Sequence, residues 1–364
     1  MTRARVKAFE AGYPEIRAEI EYFFAVQHLN NGSLEAARAC AMRMINAEPQ
    51  EHQAPAARSR TLNLAELKLR GYDVLSVLAA REQRNIERAE FLRLGLEQLG
   101  CSTEHDHYVE CVTLTNLAVA CSQSSNKDLH DFVKMRVERM QFASFTKKYA
   151  FEIYRAIGLG SAMHGDHLGA LRLLRHSADV APSTSSKIKA LVDRSLLARE
   201  FGENLSADEE AEYALRLSKQ VDWKAEKGRE LYALLGLAQA LVSRNVTEAR
   251  RSFALYGVCK RDIGFLNQGK VDGGIIGREF QVDAELSQAE GNLERAVRLN
   301  CDALQRFKEV GHGYSAADVA VSLYRLTGEM SYLDFAALQA QNIPHSHLAR
   351  RVRALRESAL VTSA

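Results

Sequence analysis

Proline is scarce in this chain: 364 residues contain only Pro14, Pro49, Pro55, Pro182 and Pro344. None interrupts an apolar-periodic run. Proline inside a helix removes a donor and clashes with the preceding turn, so its scarcity leaves long helices open. Strand signals are nearly missing too. No sustained alternation of β-branched and polar residues occurs, and no Asn-Gly or Asp-Gly joins two such runs. No stretch approaches the roughly 18 apolar residues of a membrane span. The basic start Met1–Glu10 is followed by no apolar segment, so no secretory signal is expected. Six cysteines (Cys40, Cys101, Cys111, Cys121, Cys259 and Cys301) are few for the length and lie mostly in helical patterns. They are expected to be reduced thiols in a cytoplasmic protein. Charge of one sign is also lacking. With 48 basic against 46 acidic residues and a net charge of +2, nothing global favours nucleic acid or an anionic membrane.

What is present is an apolar fraction of 46%, enough for a sizeable core, and an internal repeat. The clearest unit is FEIYRAIGLGSAMHGDHLGALRLLRHSADVAP, Phe151 to Pro182. Gly158 and Ala170 are small and permit two antiparallel helices to approach closely. Tyr154, Ile157 and Leu174 fill the space around the crossing. Gly165 supplies a left-handed turn residue, and Pro182 stops the second helix. A second unit places Phe24, Ala25, Gly32, Ala37 and Pro49 in the same order, with Glu21 where an aromatic is expected. A third begins at Gly277, with Phe280, Ala284, Gly291 and Ala296 fitting and Asp283 departing. Gly165 and Gly202 are 37 apart, as are Gly291 and Gly328, and Gly32 and Gly71 are 39 apart. All six are read as turn glycines. Between Gly71 and Gly165 the pattern weakens, and helices are expected at about 74–99, 107–123 and 128–148, with a turn at Ser125-Asn126. Around Asn245 the phase slips.

These residues resemble the tetratricopeptide repeat family, with Ser161 in place of the tyrosine expected after its leucine-glycine pair. The spacings exceed that motif's 34 residues. Together with ALQRFKEVGHGYSAADVAV (Ala303 to Val321), they look like the longer variants found in bacterial regulators and signalling proteins. The resemblance implies an all-α solenoid, a right-handed superhelix of helical hairpins stabilised by nearest-neighbour interfaces. It divides the chain into N-terminal repeats at 1–150, degenerate after about 72, further repeats at 151–341, and a C-terminal capping helix and tail at 342–364.

The family lines its concave groove with first-helix residues. Carried onto this sequence, those are Glu19, Tyr22, Val26 and Asn30 in the first unit and Glu152, Arg155, Leu159 and Met163 in the best unit. In the unit from Gly277 they are Arg278, Gln281, Glu285 and Gln288. The mixture suits an amphipathic peptide or helix. Relatives that clamp a chain-terminal carboxylate use lysine and asparagine there. Arg155 and Leu159 stand here instead, so capture of a chaperone tail is not expected. The competing reading is a solvated or self-filled face.

Other constellations are weaker. Cys101-x3-His105-x-His107-x3-Cys111 offers four zinc-ligand types but no C-x2-C pair, so a loop plus a buried cysteine is the better reading. Gly264 to Gly277 is glycine-rich, but no strand precedes it and no G-x4-G-K-[ST] occurs, so a loop on one rim is expected. Arg350, Arg351, Arg353 and Arg356 fall on a final helix, with Arg350, Arg353 and, less closely, Arg356 along one face, where a solvated cap is expected. Glu104 and Asp106 lie close together without a nucleophile or an orienting group. No catalytic or cofactor fingerprint is found, and no enzyme, cofactor or metal is expected. The function expected is a cytoplasmic adaptor or regulatory protein that binds another protein or a peptide. It would have no membrane contact and no direct nucleic-acid contact, and self-association is compatible. The alternative is a signal- or peptide-responsive transcriptional regulator acting through a DNA-binding partner, since no helix-turn-helix is evident in the chain itself.

Overall fold

The computed structural model describes residues 14–48, 64–82, 84–100, 107–124, 126–138, 147–226, 228–260, 273–343 and 346–363. All regular structure among them is helical, so the all-α solenoid expectation holds. Two units divide at Ala120. The first holds α1 (Pro14–Asn30), α2 (Leu34–Ile45), α3 (Leu64–Arg81), α4 (Asn85–Leu99) and most of α5 (His107–Ser124). The second holds α6 (Lys127–Glu138), α7 (Lys147–Met163), α8 (His167–Asp179), α9 (Thr184–Glu200) and α10 (Asn204–Ser218). It continues through a 3-10 turn (Gly228–Leu231) to α11 (Tyr232–Leu241), α12 (Val246–Cys259), α13 (Gly273–Ala289) and α14 (Leu293–Glu309). It ends with α15 (Gly313–Thr327), α16 (Met330–Ala340) and α17 (His347–Ser363).

One turn design recurs in the hairpins. At Gly165 the backbone is left-handed (φ 88°), a conformation glycine adopts without penalty. The next residue, Asp166, donates its N–H to the Ser161 carbonyl, 2.9 Å away, which satisfies an end carbonyl of α7. The Asp166 side chain then accepts from the Gly169 N–H and caps α8. The same backbone bond joins Ser33 to His28, Glu203 to Ala198 and Asn292 to Ser287. Within the α7–α8 hairpin a methyl on Gly158 would stand 3.1 Å from Leu174 Cγ and 3.2 Å from the Ala170 carbonyl oxygen. The two small residues therefore set the closest approach, as the repeat pattern requires.

Three expectations are corrected. Gly71 is not a turn residue but lies within α3, where Ile45 Cγ1 and the Ala41 carbonyl of α2 come within 3.0 and 3.1 Å of the place a Cβ would take. It is a helix-crossing glycine. The helix expected over 74–99 is two helices, α3 and α4, with a backbone bond from Arg84 to the Ala79 carbonyl closing the first. The helix expected to begin near Gly277 begins at Gly273. The phase slip at Asn245 has a physical cause: this turn uses an asparagine cap, with Asn245 accepting from the Glu248 N–H, in place of a glycine.

The core of the second unit gathers Phe151, Ile188, Trp223, Leu234, Leu237 and Tyr256 from successive hairpins. A further cluster, with Leu304, Phe307, Val319, Leu323 and Leu333, seats the C-terminal helix α17 through Leu348 and Val352. In the first unit Ala25, Leu29, Ala37, Cys40, Val74 and Leu78 form the core. Among the described residues no helix is long and apolar enough to cross a membrane.

Candidate partner-binding face

The first helices of the hairpins in the second unit are α7, α9, α11, α13 and α15, and polar bonds link them in order. Lys189 of α9 donates to Glu152 of α7 at 2.8 Å. Arg155 of α7 donates to Asp193 of α9 and, more weakly, to Glu152. Ser185 and Ser186 of α9 donate to Glu226 and Glu230 before α11. Gln239 of α11 donates to Glu285 of α13 at 2.8 Å and accepts from Arg278 at 2.8 Å. Gln281 of α13 donates to Asp318 of α15 at 3.1 Å, and Arg351 of α17 also bonds Asp318. Tyr314 of α15 donates to Glu200, at the end of α9, at 2.6 Å.

Two nodes on this ladder differ in electrostatics. In the α7–α9 node Glu152 and Asp193 each have a cation within bonding distance. Burial holds the Lys189 amine below its usual range, and the Arg155 charge adds to the effect. In the node around Asp318, Gln239 of α11 bonds Glu285 and Tyr314 bonds Glu200, and both donors are neutral, with Arg278 and Arg351 acting on these carboxylates through space. Burial, with the Asp318 charge adding to it, raises Glu285 to about 7 and pushes Glu200 above the ordinary carboxylate range. Burial likewise lifts the Tyr314 phenol well above its usual value.

The residues expected from the sequence fall as follows. Glu152 and Arg155 are in the first node, and Arg278, Gln281 and Glu285 in the second. Leu159 packs against the apolar cluster of Ala162, Ala170 and Leu174. Met163 is buried, and Gln288 is exposed at the end of α13. In the first unit Glu19, Tyr22 and Val26 are half-buried and Asn30 is exposed on α1, with the Arg70 guanidinium 5.0 Å from the Tyr22 ring centre. Lys189, Asp193, Glu200, Gln239, Tyr314 and Asp318 were missed, and Arg351 was read only as part of the final helix. Part of the signal was available: Glu152 and Lys189 are 37 positions apart, as are Gln281 and Asp318, which is the spacing of the turn glycines.

The final-helix arginines are engaged within the unit. Arg350 contacts His167 and Arg356 donates to Asp334. Cys101, His105, Glu104, Asp106 and the glycine-rich stretch up to residue 272 lie outside the described residues. Cys111 is buried on α5, and no group of His, Cys, Asp and Glu among the described residues could hold a metal ion.

Comparison with solved structures places the fold. A Rap protein crystallised in complex with competence and sporulation factor superimposes with a TM-score of 0.50 at 11% identity, covering 80% of this chain and 81% of that one. The likeness is one of helical-repeat architecture. A circular tandem repeat protein aligns over 98% of this chain and 96% of its own at 14% identity, but its TM-score of 0.21 carries no weight. No family model and no curated protein matches the sequence.

Proposed function

We propose that this chain is a protein- or peptide-binding regulator of the cytoplasm that takes a partner segment along the first-helix face of its repeats. The observation that carries this reading is the second polar node. Glu200 and Glu285 accept their hydrogen bonds from neutral donors, with Arg351 and Arg278 acting only through space and failing to offset the cost of burial, whereas the carboxylates of the α7–α9 node are directly bonded to cations. An incoming basic group would relieve that cost, so the segment is read as amphipathic with a lysine, arginine or amino terminus at this node. Arg278 and Gln281 border the same point, and Gln288 lies at the open end of α13. The fold likeness is compatible: Rap was crystallised holding its competence and sporulation factor. Because fold alone does not fix function, the site carries the argument.

A photo-crosslinking amino acid at Gln288, on the first-helix face, and another at Arg298, exposed on the second helix α14, test the reading in native lysate. Capture of a partner at position 288 that weakens in Glu285→Gln, with no capture at 298, is expected. Capture at 298 alone would place the binding surface on the outer helices and refute it.

A further inference from the structure

A repeat array touches only its neighbours, so each hairpin contacts those immediately before and after it. The inter-repeat bonds of the ladder obey this, joining residues 33 to 46 positions apart. Two bonds do not. Tyr314 to Glu200 spans 114 positions and Arg350 to His167 spans 183. Both end at the same corner, where α8 begins and α9 ends, and both come from the C-terminal helices α15 and α17. The aromatic contacts agree. Phe201, next to Glu200, has the His167 ring 4.0 Å away and the His347 ring of α17 6.3 Å away. The end of the second unit therefore curls back onto an early hairpin, beside the face that carries Gln281, Glu285 and Asp318.

The closing contacts differ from those that hold the unit together. Leu348 and Val352 anchor α17 in the apolar cluster of α15 and α16, so this helix stays seated on its neighbours whatever happens at its edge. Among the described residues, what reaches across to the α8–α9 corner is the Tyr314 phenol, the Arg350 guanidinium and the rim of the His347 imidazole beside Phe201. Each such contact contributes on the order of 1 kcal/mol, little enough to exchange for contacts with a ligand. Arg351, beside this edge, also occupies Asp318 within the polar node.

We infer that Tyr314, His347 and Arg350 form a clasp with His167, Glu200 and Phe201, and that this clasp gates the first-helix face. The closed array restricts access to the second node, where Gln281 is buried, and opening the clasp exposes it. The idea rests on the proposed binding face for its purpose, but the gate can be measured with no partner present.

The probe is the substitution Gln281→Cys, at a position that is 8% exposed. Alkylation of the introduced thiol by iodoacetamide is followed by peptide mass spectrometry, with exposed Cys301 as the internal rate standard. The clasp variant is Tyr314→Phe with Arg350→Ala, and the control is Arg356→Ala, whose partner Asp334 lies on adjacent α16. Loss of two hydrogen bonds should raise the labelling rate of the introduced thiol by about tenfold or more. Amide exchange should rise together in the last turn of α9 and the first turn of α17, with α14 and the control unchanged. Faster exchange with an unchanged labelling rate would mean that the contacts tether the ends without gating, and would overturn the inference. No change in either would also overturn it. If circular dichroism shows the double variant to be unfolded, Tyr314→Phe alone decides by the same two readouts. Gating without a captured partner would refute the binding reading while leaving the clasp intact, and a captured partner without gating would do the reverse.

Discussion

Replacing Glu285 by glutamine should stabilise the second unit, and by an amount that depends on pH. The carboxylate accepts from Gln239 and lies near Asp318, and burial, with that charge adding to it, lifts its ionisation from an ordinary value near 4.5 to about 7. A raised carboxyl pKa means that the folded state binds the proton more tightly than the unfolded chain. Its contribution is most favourable below about 4.5, falls as pH rises and is gone once pH passes the folded value. At about 1.4 kcal/mol per unit, ionisation at pH 8 costs about 3 kcal/mol and at pH 5 about 1 kcal/mol. These are upper values, since the half-buried carboxylate retains some solvent screening. Glutamine keeps the acceptor for Gln239 and removes the charge. Glu285→Gln should therefore gain about 3 kcal/mol at pH 8 and only about 1 at pH 5. The single tryptophan makes the assay direct. Trp223 is buried in the second unit and donates to the Ser218 carbonyl at 2.9 Å, so its fluorescence during urea titration reports the unfolding of that unit. A gain equal at both pH values, or a loss at pH 8, would refute the reasoning and show that Arg278 compensates the charge.

Two further outcomes test the packing. A methyl at Gly160 would stand 2.5 Å from Nδ1 of buried His130. Gly160→Ala should therefore destabilise by about 1–3 kcal/mol through overpacking. Gly257→Ala on α12, with nothing within 4 Å, should gain up to about 1 kcal/mol from helix propensity. Effects of the same sign in the same fluorescence assay would contradict the packing. His130 itself is held down to about 4 by burial first and the neighbouring His164 second. A lowered histidine pKa gives stability that is present above the unfolded value near 6.5 and is lost as pH falls toward 4. Proton resonances of the His130 ring should titrate near 4, and the wild type should lose about 2 kcal/mol between pH 7 and pH 5 that His130→Gln does not lose. A ring midpoint near 6.5 would refute this.

The hairpins were legible because their turns demand something only a few residues supply. A left-handed turn selects glycine, and the cap that follows selects Asp, Asn or Ser, so Gly165-Asp166 and Gly291-Asn292 could be read directly. Gly71 misled because a glycine needed for a close helix crossing is indistinguishable by type from one needed for a turn. The break between α3 and α4 carries neither glycine nor proline at Glu82 or Arg84, so periodicity ran through it. On the candidate face, positions could be carried over one repeat at a time, but what each side chain would meet could not. The 37-residue spacing would have paired Glu152 with Lys189 and Gln281 with Asp318. No period leads from Glu200 to Tyr314 or from His167 to Arg350. Those contacts follow from how far the array curls, a sum of small rotations that no single residue encodes.

The contrast between the two nodes separates polar groups that hold the array from those that cost it stability. Ion pairs buried between helices rarely outperform apolar contacts of the same volume, because desolvation offsets the attraction. The α7–α9 node nonetheless sets how two neighbouring first helices meet: Arg155, Glu152, Lys189 and Asp193 satisfy one another, and losing one member leaves a buried charge alone. Packing alone gives no comparable reason for the second node. Glutamine at 285 would keep the bond to Gln239 and remove the penalty, yet glutamate stands there, and Glu200 repeats the pattern with Tyr314. On the proposed reading, the stability cost at these two carboxylates, both near Asp318, lies where a bound partner would relieve it. Glu285→Gln should therefore raise stability and lower partner capture together, an opposition that a self-filled face would not produce.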